Sequence, residues 1–279
     1  MTLGWFTPKN VWIGLAGNVV LAALSWPGSL FRKPWTVLPL LASVVAAVLT
    51  SVVCARIARE YPRGSWMRIS WALLCASATA SAARYLMQSV FSAGPPELVY
   101  MLEWRQVPSV LSLVLLVAGF LAMYRSLASL GIGFSATSGD WALLLVILTV
   151  APAVVWFREG LSESRSTHAL IRYLQFISPV LVVALAGISV PLHRLSSQME
   201  GGQIAKSLRF FVLFAVVRTL LFLRIIPAVA SVPLALFVHS VLVYTIPWLF
   251  AVAVAYRWQL TTALEKRTAP ILVAGFISR

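Results

Sequence analysis

Acidic side chains are scarce in this 279-residue chain, which has only 8 Asp and Glu against 22 Lys and Arg and a formal net charge of +14. Charged residues make up 11% of the chain, whereas soluble domains carry about a quarter. A water-soluble fold of this size needs more polar side chains to cover its surface. The shortage therefore excludes an ordinary soluble globule and predicts that lipid surrounds most of the chain.

Cysteine, histidine and aspartate are also too few for several kinds of site. The two cysteines, Cys54 and Cys75, lie in or beside apolar runs, so they indicate neither a disulfide framework nor a thiolate metal site. Three histidines cannot supply the four axial imidazoles of a bis-histidine, two-haem cytochrome, and no His-Glu pair has the helical spacing of a metalloprotease. The single aspartate, Asp140, excludes a pair of catalytic aspartates. We therefore expect no metal site.

Groups for covalent catalysis are missing from the apolar runs. Every lysine lies outside these runs or at their ends, so none is placed to form the retinal Schiff base of an opsin. Ser240 and His239 are adjacent, and neighbouring helical residues point in different directions, which argues against a catalytic pair. No glycine-rich nucleotide loop is present. The sequence thus predicts a protein that is not an enzyme.

Long apolar runs dominate what is present, since 60% of the residues are hydrophobic. Crossing about 30 Å of hydrocarbon requires roughly 20 residues. Backbone groups in lipid must be paired within the segment, and the runs lack the short alternating pattern of a barrel, so they predict helices. The predicted spans are 10–26, 35–55, 66–91, 106–127, 141–157, 170–191, 208–229 and 233–258.

These runs predict an all-α, polytopic transmembrane helix bundle of about eight spans over residues 1–258, followed by a short extension, 259–279. For the first run, a retained span, a cleaved signal peptide and a surface helix that leaves seven crossings stay open. Small residues over 75–83 predict that the third span is central and tightly packed, because they let helix backbones approach closely. The apolar end, 270–277, is too short to span and either rests on the membrane, docks to a partner or frays.

Basic residues near the span ends predict the orientation, because cytoplasmic loops carry an excess of Lys and Arg. One side receives Arg32, Lys33, Arg105, Arg158 and Arg165. The richer side receives Lys9, Arg56, Arg59, Arg63, Arg68, Arg125, Arg194, Lys206, Arg209, Arg257, Lys266, Arg267 and Arg279. We therefore expect a bacterial cytoplasmic (inner) membrane protein with its C-terminus in the cytoplasm. Because the basic residues are scattered, we expect no nucleic-acid partner.

Charged and polar side chains inside the spans form the candidate site. Charge within a bilayer is costly, so such residues point to function. Residues from five spans share a middle or outward-facing depth: Arg84, Glu103, Arg172, Gln175, Arg218, Arg224 and His239. Their common depth predicts a cationic cavity for an anionic small molecule, a lipid headgroup or an acidic partner, with Arg84 and Arg218 as its deepest donors.

A structural explanation of the same residues stays open. Arg172 and Arg224 lie close enough to the membrane surface to reach it, Arg84 has Glu103 as a salt-bridge partner, and Gln175 bonds a neighbouring helix. Arg218 is the hardest to explain in this way, because apolar residues flank it on both sides and its own span holds no acidic residue.

Three functions are compatible with this sequence. The first, which we expect, is a non-catalytic structural or scaffolding subunit of a larger membrane complex, in contact with lipids and other membrane proteins. His239 is then either an interhelical hydrogen-bonding residue or the axial ligand of at most one haem or chlorophyll-type pigment. The second is a membrane sensor or receptor. With a helix leaving the last span over 256–267, the architecture resembles the sensory modules that precede bacterial histidine kinase or cyclase domains, and it needs a separate signalling partner.

The third function is an anion transporter or channel. Carriers coupled to protons usually place a carboxylate inside the membrane, and none of the eight acidic residues lies deep in a span. Such a carrier would instead take backbone ligands from spans interrupted by Pro152, Pro179, Pro227 or Pro247.

Overall fold

The computed structural model describes residues 4–25, 37–93, 103–129, 169–198, 202–222 and 233–277, and the regular structure of these residues is entirely helical. The seven α-helices of the described chain are α1 (Pro8–Leu24), α2 (Val37–Glu60), α3 (Trp66–Ala93), α4 (Gln106–Ser129), α5 (Ala169–Gln198), α6 (Gln203–Phe222) and α7 (Pro233–Ile277). The all-α prediction is confirmed, and each helix overlaps one predicted span. The predicted span 141–157 lies outside the described residues.

Four of the described helices are long and apolar enough to cross a membrane, which indicates that the protein is integrated into one. The four segments are Val37–Glu60, Glu103–Ser129, Ile177–Ser197 and Ser240–Ala263. Helix α1 is short, with 17 residues. Helix α6 carries Lys206, Arg209 and Arg218. The crossing number of about eight therefore stays a prediction.

The described helices follow one another around the bundle in chain order. Each packs against the next, from α1 with α2 to α6 with α7, and α7 also packs against both α1 and α2. Residues 251–255 of α7 are all buried, which requires neighbours on every side of this stretch. Helix α7 is thus the central helix. Helix α3 packs against both α2 and α4 and also has an outer face with Leu86 and Val90 exposed, so the central position predicted for the third span stays a prediction.

The close packing predicted for the third span is confirmed on both of its flanks. Toward α4, the Ser77 hydroxyl donates to the Ser112 carbonyl at 2.8 Å. Toward α2, the hydroxyls of Ser51 and Thr79 are 2.7 Å apart. Small side chains bring the helix backbones near enough for these bonds to form. They fix the height of α3 against its two neighbours.

Aromatic side chains fix α6 against the rest of the bundle. The ring centroid of Phe211 lies 5.5 Å from that of Phe120 on α4 and 5.7 Å from that of Phe250 on α7. One turn further along α6, Phe214 stacks on Phe250 with a centroid distance of 5.0 Å. Aromatic pairs in this distance range each contribute about 0.5–1.5 kcal/mol beyond the apolar area that they bury. Their packing places the next turn of α6, with Arg218, beside α3 and α7.

Helix α7 is far longer than a membrane is thick. Its 45 residues at about 1.5 Å each give a helix of about 68 Å, more than twice the hydrocarbon thickness. The chain is helical to Ile277, so the interpretation of its end as a frayed tail is wrong. The helix continues for 19 residues beyond Trp258, and Pro247 and Pro270 lie in its interior.

Candidate functional site

Arg84 of α3 and Arg218 of α6 line the same small cavity, here called the arginine cavity. Its volume is about 10 Å³, close to the roughly 10–15 Å³ that one water molecule requires. Residues from α2 and α7 complete the wall, which includes Ala47, Ser81, Tyr85, Phe214, Pro247 and Phe250. The structure thus brings together the two arginines that the sequence identifies as the deepest charge donors.

The arginine cavity holds two positive charges without a negative one in its described wall. Arg218 is only 7% exposed, and Arg84 is half-buried. No acidic side chain is among the residues that line the cavity in the described part of the chain. Burying a charge costs several kcal/mol unless it is compensated, and two like charges add to that cost. The described wall of the cavity therefore carries two like charges with no opposite charge among its side chains.

Aromatic rings give the two guanidinium groups partial compensation. The guanidinium carbon of Arg218 lies 5.8 Å from the ring centroid of Phe214, and that of Arg84 lies 5.3 Å from the ring centroid of Tyr85. A cation–π contact contributes about 0.5–2 kcal/mol, which is less than the cost of burying the charge. Each ring therefore offsets only part of the cost of its guanidinium charge.

Tyr85 connects the arginine cavity to α7. It is 2% exposed, and its hydroxyl donates to the Val243 carbonyl at 3.1 Å. This carbonyl lacks its usual helical donor, because the residue four positions later is Pro247, which has no N–H group. We did not predict this role for Tyr85 from the sequence. A proline inside an apolar run was the available signal, since the freed carbonyl must find a donor elsewhere.

The next carbonyl of α7 is also bonded to side chains of other helices. Asn18 of α1 donates from Nδ2 to the Tyr244 carbonyl at 2.8 Å, and the Ser43 hydroxyl of α2 lies 3.2 Å from the same oxygen. Residues 243–247, here called the proline joint, are therefore held by α1, α2 and α3. Their bonded carbonyls are not open ligands, which argues against a carrier with backbone ligands at Pro247.

The remaining predicted residues do not join the arginine cavity in the described structure. Glu103 lies in a single turn of 3₁₀-helix before α4 and is not part of the cavity wall. Arg172 and Gln175 lie in the first two turns of α5, and their side chains are outside what the structure describes. Arg224 lies outside the described residues. The participation of these four residues, and the pairing of Glu103 with Arg84, stay predictions.

His239 lies near the start of α7, and its side chain is outside what the structure describes. It precedes Pro247 by eight residues, which is about 12 Å along the helix. A haem or pigment ligand at this position would therefore be separate from the arginine cavity. Within the described chain, no group of three or more His, Cys, Asp and Glu could hold a metal ion.

A second polar cluster, here called the basal cluster, lies where α7 leaves the bundle. Arg257 donates from Nη2 to the Tyr61 hydroxyl at 2.6 Å and from Nη1 to the Thr261 hydroxyl at 2.9 Å. The Thr261 hydroxyl donates to Oε2 of Glu60 at 3.1 Å. Bonds to charged groups are about twice as strong as neutral ones. The basal cluster therefore attaches α7 to the end of α2 and the turn that follows it.

Comparisons of the chain with protein-family models, with curated proteins and with solved structures found no match.

Proposed function

We propose that this protein is a non-catalytic membrane receptor that binds a small monovalent anion between Arg84 and Arg218. The observation that supports the proposal is the pair of buried or half-buried arginines in one cavity whose described wall holds no acidic side chain. An anion in the cavity would accept hydrogen bonds from both guanidinium groups and neutralise part of their charge. This compensation supplies the binding free energy.

The size and wall of the cavity favour a single monatomic anion, such as a halide ion, over a polyatomic one. A volume of about 10 Å³ leaves no room for a lipid headgroup or a phosphate without rearrangement of the wall. Phe214, Pro247 and Phe250 make part of the wall apolar. Apolar surroundings penalise strongly hydrated anions, so a weakly hydrated monovalent ion binds best.

The extension of α7 beyond the bundle is the part of the described chain through which such a receptor would act on an output domain or partner. A rod of about 68 Å that begins in the bundle and continues past the charged segment 259–267 is suited to transmit a displacement. We place the protein in a bacterial inner membrane with this end of α7 in the cytoplasm, following the distribution of Lys and Arg.

Anion titration of the purified protein tests the proposal. Chloride and bromide are titrated against wild type, Arg84→Leu and Arg218→Leu in detergent, with gluconate replacing the halide and tryptophan fluorescence as the signal. We expect either substitution to weaken binding at least tenfold, because each removes a charged donor. Arg209→Leu is the matched control, since Arg209 is an exposed arginine on the same helix as Arg218. Equal halide affinity in wild type and Arg218→Leu would refute the proposal.

A structural subunit of a larger membrane complex is the second candidate. The continuation of α7 through the apolar residues 270–277 favours it, because an apolar helix end beyond a charged segment needs a membrane surface or a protein partner to cover it. Purification in a mild detergent of the full chain and of a chain that ends at residue 269 tests this role. Loss of a co-purifying membrane protein from the shorter chain supports it, and the same proteins with both chains argue against it.

A further inference from the structure

The proline joint lacks one main-chain hydrogen bond of α7, and side chains of other helices bond to its carbonyls. Proline removes a main-chain hydrogen bond, and helices bend at such positions. The Val243 carbonyl, which lacks its helical donor, accepts from Tyr85 instead, and the next carbonyl, of Tyr244, accepts from Asn18. The path of α7 at this point therefore depends on the positions of the helices that bond to it.

The proline joint and the arginine cavity share residues. Tyr85 and Pro247 both line the cavity, and Tyr85 follows Arg84 directly in the chain. The two guanidinium groups repel each other in an empty cavity, whereas an anion between them attracts both. A displacement of Arg84 on occupancy also displaces Tyr85, whose hydroxyl is bonded to α7.

The length of α7 beyond the joint amplifies a change in its bend. Thr261 lies 14 residues after Pro247, which is about 21 Å along the helix. At that distance, a change of about 10° in the bend displaces a residue by about 4 Å. The hydrogen bonds of the basal cluster, 2.6 to 3.1 Å long, do not survive a displacement of that size.

We infer that anion binding in the arginine cavity changes the path of α7 at the proline joint and thereby displaces the end of α7 relative to Glu60 and Tyr61, its partners in the basal cluster. This inference rests on the proposed anion binding and states which structural change follows when the site is occupied. Tyr85 is a positioning residue in this coupling, because it contacts both the cavity and the freed carbonyl of Val243.

A distance measurement across the basal cluster tests the coupling. Spin labels are attached at Arg63→Cys, in the turn after α2, and at Ala263→Cys on α7, since both positions are exposed. The free thiols Cys54 and Cys75 are replaced by alanine. Electron–electron double resonance then gives the distance between the labels in sodium gluconate and in sodium chloride. We expect chloride to shift the mean distance by several ångström.

Two substitutions and one control locate the shift at the proline joint. Pro247→Ala restores an N–H group that can donate to the Val243 carbonyl, and Tyr85→Phe removes the hydroxyl that donates to it now. Each variant is measured at a chloride concentration that saturates it, so that altered affinity does not affect the comparison. We expect both to lose most of the shift. Pro179→Ala removes a proline inside α5 that is not part of the cavity wall, and it should keep the full shift.

The outcomes separate this inference from the function on which it rests. Chloride binding with a shift that both variants lose supports the coupling. Chloride binding with no shift in wild type, or with a shift that Pro247→Ala and Tyr85→Phe both retain, overturns the coupling and leaves the anion receptor intact. No chloride binding in the titration overturns both.

Discussion

Replacing Arg218 by methionine should stabilise the bundle in the absence of a binding anion. Arg218 is 7% exposed, and its guanidinium group faces a cavity whose described wall holds no carboxylate. The substitution removes a buried charge that costs several kcal/mol and gives up a cation–π contact with Phe214 of about 0.5–2 kcal/mol. Methionine has a similar length and fills the space with an apolar chain. We therefore expect a net gain of about 2 kcal/mol in the free energy of unfolding.

The gain should disappear when a halide is present. A ligand at 100 times its dissociation constant stabilises the folded state that binds it by about 2.7 kcal/mol. Wild type gains this stabilisation, and Arg218→Met does not. Unfolding in sodium dodecyl sulfate or by heat, measured for both proteins in gluconate and in bromide, gives the four free energies. If Arg218→Met has a lower free energy of unfolding than wild type in both gluconate and bromide, the reasoning is refuted. Such a result would mean that other groups of the folded protein already compensate the charge of Arg218.

Two further substitutions test the packing of α7. Gly14→Ala places a methyl group of α1 against the ring of Trp248, so we expect a loss of about 1–3 kcal/mol in the free energy of unfolding. Gly17→Ala is the control, because this position faces open space and the substitution should cost little. Equal stability of the two variants would contradict the packing of α1 on α7. Tyr61→Phe removes the hydroxyl that accepts from Arg257 at 2.6 Å and should cost about 1 kcal/mol. Hydrogen exchange at the exit of α7 should then become faster, and unchanged exchange would show that the basal cluster does not hold this helix.

Much of the secondary structure followed from the apolar runs, because a helix in lipid must satisfy its own backbone bonds and cannot be much shorter than the hydrocarbon is thick. The predicted span 106–127 and the observed α4, Gln106–Ser129, differ by two residues at one end. Helix α7 was predicted less well. The hydrophobic run ends near Trp258, but the helix continues to Ile277, since polar residues that end a span do not end a helix.

From the sequence, the candidate site could be predicted only as a set of charged residues inside spans, where burying a charge costs free energy. Arg84 and Arg218 stood out because a charge inside a span is rare, and their similar depth suggested one cavity. Tyr85 and Asn18 could not be assigned roles in the same way, since neither carries a charge and both residue types occur at many ordinary positions. Their bonds to α7 depend on which helices are neighbours, and span lengths contain no information about neighbours.

Membrane integration, the all-helical class and most helix positions could be predicted from the sequence alone, because these depend on local composition and on the thickness of a bilayer. Three features became visible only in the folded protein: the buried stretch 251–255 of α7, the cavity shared by Arg84 and Arg218, and the bond from Tyr85 to the carbonyl freed by Pro247. The physical reason is that lateral packing between helices depends on the fit of side chains from distant parts of the chain, whereas hydropathy depends only on each segment.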